Sequence, residues 1–116
     1  MNLNFTTPCT VDRVGSRETC NPPPTDTDLD YLVYVAPYNF DKLITEVEAL
    51  GYTCDTQFYI GTEFYSYRKE EVNLIVTDTK LFHQKFKLAT HLAKKFNLLE
   101  KSERISLFSA ILYNIY

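Results

Sequence analysis

Gly15 and Ser16 are followed, after an eleven-residue connector, by Asp28-Leu29-Asp30 at the head of the apolar run Tyr31-Leu32-Val33-Tyr34-Val35. A glycine lets the backbone approach a polyphosphate closely, and the Ser16 amide and hydroxyl are suited to phosphate oxygens. Side chains repeat every second residue along a strand, so Asp28 and Asp30 share one face, ~6.5–7 Å apart. Two carboxylates so placed can share divalent cations that neutralise phosphate charge and activate an attacking oxygen. The chemistry this implies is metal-dependent nucleotidyl transfer, provided that the glycine turn and the acidic pair are brought to one place.

The elements that must do so can be read from pattern. Residues 10–14 predict a short strand, 16–20 at most one helical turn, and 29–36 a buried strand stopped by Pro37. The three prolines of Asn21-Pro22-Pro23-Pro24 exclude helix and central strand and leave an extended loop. Asn39 caps a helix over 40–50 with Phe40, Leu43, Ile44, Val47 and Leu50 at helical spacing, and Gly51 closes it. Residues 56–60 and 63–68 read as a hairpin around Gly61, and Glu71 to Thr77 as another buried strand. Two helices follow, one over 79–96 with Phe82, Phe86, Ala89, Ala93 and Phe96 on one stripe, and one opened by Ser102 and Glu103. The order ββαβββαα predicts an α+β fold, a mixed β-sheet with helices packed mainly on one face.

The chain has 116 residues, enough for one domain over 1–116 with a core that needs neither disulfide nor structural metal. No apolar run reaches the ~20 residues of a membrane span, and the opening Met-Asn-Leu-Asn-Phe lacks a signal pattern. The expectation is therefore a cytoplasmic protein that has no membrane partner. Cys9, Cys20 and Cys54 form no Cys-x-x-Cys pair and suit a reducing compartment. His83 and His91 lie eight residues apart on one helix, a poor spacing for zinc. The net charge of −3 conceals an asymmetry: thirteen acids and five bases up to residue 78, then seven bases and two acids. An acidic half able to hold metal is joined to a basic half able to meet polyanions, although lysines on a solvated helix face account for most of the latter.

Gly15-Ser16, the connector and Asp28-Leu29-Asp30 resemble the signature of the polymerase-β-like nucleotidyltransferase superfamily. Residues 15–33 as a whole are similar to small nucleotidyltransferase-like proteins of tailed phages, and Val72 to Thr77 and Asn97 through Tyr113 fit the same likeness. The resemblance implies a palm-like nucleotidyltransferase core, two Mg²⁺ ions (Mn²⁺ as substitute) and an NTP whose α-phosphate is attacked by a hydroxyl. Carried over, Gly15 and Ser16 bind triphosphate and Asp28 and Asp30 hold metal. Arg17 and Arg68 are further phosphate-binding residues, each with an ordinary surface or turn arginine as the alternative. The acceptor is unspecified; a phage-encoded enzyme acting in the host cytoplasm has host protein or RNA within reach.

One position departs from the superfamily. Its third carboxylate, on a neighbouring strand, falls here on Asn73, whose amide can offer an oxygen to the ion or nucleotide but cannot accept a proton. Glu71, two residues earlier, is the substitute catalytic acid, with Glu63 as the other choice. Three readings follow: a minimal transferase, a degenerate fold that binds nucleotide, RNA or a host protein, and a partner-binding protein using the apolar C-terminus. Whether it is a monomer or a homodimer is left open. Tyr65 or Tyr67, whichever faces outward, is the residue expected to stack on a base.

Overall fold

The computed structural model describes residues 3–25, 28–55 and 63–114. Five strands form one mixed sheet: β1 (Thr10–Val14), β2 (Leu29–Tyr34), β3 (Thr53–Cys54), β4 (Tyr65–Lys69) and β5 (Val72–Thr77), in the spatial order β1-β2-β5-β4-β3. β2 and β5 run parallel at the centre, and the other neighbours are antiparallel. The helices are α1 (Ser16–Thr19), α2 (Phe40–Ala49), α3 (Lys80–Lys95) and α4 (Lys101–Tyr113), with a 3₁₀ turn over Pro37–Asn39 leading into α2. The α+β class and the mixed sheet are as expected.

The helices lie mainly on one face, as expected, with α3 and α4 there and α1 against α3, while α2 covers the other face. Both faces are covered because the apolar runs of the central strands leave neither fit for water. On one side Tyr31, Val33 and Val35 of β2 and its exit join Leu74 and Val76 of β5 and pack against Leu43 and Val47 of α2. On the other, Val14, Leu32 and Ile75 meet Phe82 and Phe86 of α3 and Leu112 of α4. Gly51, at φ 98°, stops α2 as its position predicts.

The sheet edge differs from the expected hairpin. β4 pairs with the two-residue β3, Thr53 opposite Arg68 and Cys54 opposite Tyr67. The strand expected over 56–60 and its turn at Gly61 lie outside the described residues. β3 has only Thr53 and Cys54, both exposed, and so offers no hydrophobic alternation from which to read it. Tyr65 and Tyr67 both face the α2 side of the core, Tyr67 buried and Tyr65 against Phe40. Neither is presented outward, so the stacking role expected of one of them is corrected: their spacing of two puts both on the covered face.

Candidate functional site

β1 and β2 bring the two halves of the motif together. Their antiparallel register sets Val14 opposite Asp30, so the turn leaving β1 emerges beside the second aspartate. Gly15 adopts φ 79° and ψ −178°, a region open in practice only to glycine. A Cβ there would stand 2.2 Å from Asp30 Oδ2 and 2.9 Å from its Cβ and Cγ. The carboxylate occupies the space that any side chain at position 15 would need. Ser16 then starts α1, where the Gly15 carbonyl accepts hydrogen bonds from the Glu18 and Thr19 amides at 3.0 Å.

Around Asp30 the polar groups form a chain across three strands. Asp30 and Asn73 are register partners on β2 and β5. Asn73 Nδ2 donates to Asp30 Oδ1 at 3.1 Å, and Ser66 Oγ on β4 donates to Asn73 Oδ1 at 2.6 Å. A carboxylate accepts and cannot donate, which fixes the amide with its N–H₂ toward Asp30. Burial pushes the Asp30 carboxyl above its ordinary range, and the Asp28 charge adds to this, against the Asn73 hydrogen bond and Arg68.

Asp28 lies one pleat before Asp30 and is paired with Arg68, whose Nη1 donates to Asp28 Oδ2 at 2.6 Å. The same guanidinium reaches Asp55 Oδ2 through Nε at 3.0 Å. The hydrogen bond that Arg68 donates to Asp28, more than the Asp28 charge, holds the guanidinium still more firmly protonated. Arg68 thus sits on the carboxylate face, though its contacts are to acids.

The remaining expected residues are placed as follows. Arg17 Nη2 donates to the Thr25 carbonyl at 2.9 Å, so it braces the proline loop. Glu71 occupies, with Glu70, the two-residue turn between β4 and β5 and is exposed. The Leu29 amide donates to the Glu71 carbonyl at 2.8 Å; continuing the register one step puts Glu71 alongside Asp28. Glu63 precedes β4, with its carbonyl bonded by Thr77 at the opposite end of β5, away from Asn73. It cannot serve as the third acid. His83 pairs with Asp12 at 3.5 Å and stacks on Tyr34, and His91 is exposed.

Gly15, Ser16 and Asp30 line a cleft of about 280 Å³ whose other wall is α4. Lys101 and Arg104 project into that lining, with Phe86, Ile105 and Phe108 beside them. Sequence reading missed this basic pair. The signal present was two cations three residues apart in the first turn of the last helix, close enough to share a face, but nothing in the spacing says that the helix returns to the glycine turn. The cysteines are free, with Cys20 buried under Arg104.

Among the described residues no group of three His, Cys, Asp or Glu side chains could hold a metal. The donor set of this face is two carboxylates, each with one oxygen already engaged, at Asp30 by Asn73 and at Asp28 by Arg68. Hard oxygen donors of this number fit one Mg²⁺ completed by phosphate oxygens and water. No helix among the described residues is long and apolar enough to cross a membrane. No family model, curated protein or solved structure matches the chain.

Proposed function

We propose that this domain takes a Mg²⁺-bound NTP in the cleft between the Gly15-Ser16 turn and α4, and transfers its nucleoside monophosphate to an acceptor hydroxyl, the new phosphoester forming as the α–β phosphoanhydride bond breaks and pyrophosphate leaves. The observation that carries the reading is the seating of Asp30 on Gly15, which puts the Gly15-Ser16 turn and the Asp30 carboxylate at one cleft. Gly15 and Ser16, both in the lining of the cleft, hold phosphate oxygens. Asp28 and Asp30 hold the ion, which when bound supplies charge neutralisation at the phosphates. One ion, and not the two of the superfamily, suits a face whose third acidic position is Asn73. Glu71, in register beside Asp28, is the carboxylate open to take the acceptor proton.

A second reading has its own observation. The Ser66–Asn73–Asp30 chain uses both ends of the Asn73 amide, so that position adds neither charge nor a proton acceptor. On this reading the cleft binds a nucleotide without turning it over, and RNA or a protein meets the surface around it.

Calorimetry with NTP, with and without Mg²⁺, tests the shared premise. Gly15→Ala should abolish binding, because the new methyl must displace the Asp30 carboxylate, and should lower stability by about 1–3 kcal/mol for the strained backbone. Unchanged nucleotide affinity in that variant sinks both readings. Incorporation of α-labelled phosphate into protein or RNA of a cell lysate, lost in Asp30→Asn, separates transfer from binding alone.

A further inference from the structure

We infer that the cleft recognises a nucleotide by its phosphate chain and leaves the base unread; the inference rests on the nucleotide-binding reading above. The apolar part of the lining is Val14, Ile75, Phe86, Ile105 and Phe108. None of these side chains carries a hydrogen-bonding group. Phe86 and Phe108 stand edge to face at a centroid distance of 5.1 Å, a surface on which any base can stack. Strong discrimination between bases requires fixed donors and acceptors that a wrong partner leaves unpaired. Two hydroxyls line the cleft: that of Ser16 belongs to the turn assigned to phosphate, and Thr19 is buried with its Oγ1 3.8 Å from the Cys20 sulfur. It reads the protein's own thiol.

The cations of the lining, Lys101 and Arg104, both come from α4. Arg104 Nη1 is fixed by the Leu98 and Leu99 carbonyls at 2.9 and 2.7 Å and by the Cys20 sulfur at 3.3 Å. A guanidinium anchored through one nitrogen keeps Nε and Nη2 for a ligand and loses little freedom when one arrives. Lys101, one turn earlier, is exposed and adds a second cation. Within the lining two cations oppose one carboxylate, Asp30, so each further phosphate on a ligand improves the electrostatic match. At about 280 Å³ the cleft is smaller than the ~300–1,000 Å³ of sites that enclose their ligands. The site is an open one, in which the base lies on the Phe86 and Phe108 rings with no fixed polar partner.

The test is a calorimetric series on the full chain in Mg²⁺, comparing ATP, GTP, CTP and UTP, then ATP, ADP and AMP, with tripolyphosphate as competitor. The four triphosphates should agree within about threefold, since stacking differs little between bases. Affinity should fall about tenfold for each phosphate removed, as for loss of one charge-assisted contact, and tripolyphosphate should displace ATP. Lys101→Gln should flatten the phosphate series several-fold, moving AMP, with its one phosphate, the least. Arg104→Lys should fall between wild type and Arg104→Gln. Because Arg104 also buttresses the α3–α4 connection, the exposed Lys101 keeps the test independent of folding. A preference above tenfold for one base, or a phosphate series untouched in Lys101→Gln, overturns the inference and leaves nucleotide binding standing. Failure of every nucleotide to bind overturns the nucleotide-binding reading, and this inference with it.

Discussion

At the scale of single residues the site is held by mutual exclusion. Position 15 must be glycine because Asp30 fills the volume beside it, and Asp30 is kept there by the Asn73 amide. The seating has an electrostatic cost that pH can read. Burial raises the Asp30 carboxyl pKa in the folded chain, so the folded state holds that proton more tightly than the unfolded state does. The ionised carboxylate therefore subtracts stability. The deficit is absent below the ordinary carboxyl range, grows as pH climbs to the raised value, and is complete above it. Asp30→Asn keeps the shape and an oxygen for the Asn73 N–H while removing the charge. It should melt higher than wild type by roughly 2–5 °C at pH 7, with no gain near pH 3, while losing NTP binding in the presence of Mg²⁺. Thermal melts at the two pH values decide it. An equal shift at both, or a lower Tm at pH 7, would show that the carboxylate is not strained by its burial. Such a gain bought with lost binding is the usual mark of a group placed for function.

Among elements, Arg68 ties together segments that are not neighbours in the chain. From β4 it reaches Asp28 at the head of β2 and Asp55 just past β3. The three side chains are between 21% and 44% exposed, so solvent screens the pairs and the net contribution is modest, about 1 kcal/mol. Arg68→Gln should lower stability by about that amount and leave three acids, Asp28, Asp30 and Asp55, without the internal cation. Millimolar Mg²⁺ should then restore part of the lost Tm, and more in the variant than in wild type. If Mg²⁺ moves both melts equally, the guanidinium and the ion do not compete for Asp28. The sequence made these elements legible to different degrees. The central strands announced themselves by continuous apolar runs, and Gly15, Asp28 and Asp30 by spacing alone. Arg68 could be named as a basic residue near a turn, but its two acidic partners come from other strands, and pairing between distant segments leaves no local pattern. β3 was illegible because two exposed residues carry no period, and the second helical layer because a buried run does not say what covers it.

On the scale of the whole molecule, one wall of the proposed site is its least embedded helix. No residue of α4 is buried, whereas α3 buries Phe82, Ala89, Thr90 and Ala93. α4 is held at its C-terminal end by Leu112 on the Leu32 and Phe82 cluster, in its middle by Phe108 on Phe86, and at its start by Arg104 on the Leu98 and Leu99 carbonyls. Segments with few buried apolar contacts open locally at a free energy well below that of global unfolding. The cleft should then be completed by a helix that detaches while the sheet stays folded. Leu112→Ala separates the two processes because Leu112 does not line the cleft. Truncating a half-buried leucine should cost about 1–2 kcal/mol, below the fully buried range. The loss should appear as faster amide exchange across residues 101–113 with β2 and β5 unchanged. NTP affinity should fall several-fold although no cleft residue has been altered, because Lys101 and Arg104 are displaced for part of the time. Hydrogen exchange with and without NTP checks both halves: bound nucleotide should restore protection to α4 in the variant. Uniform acceleration across the sheet and α4 together would show that the helix is part of the cooperative core, and the site would then be preformed.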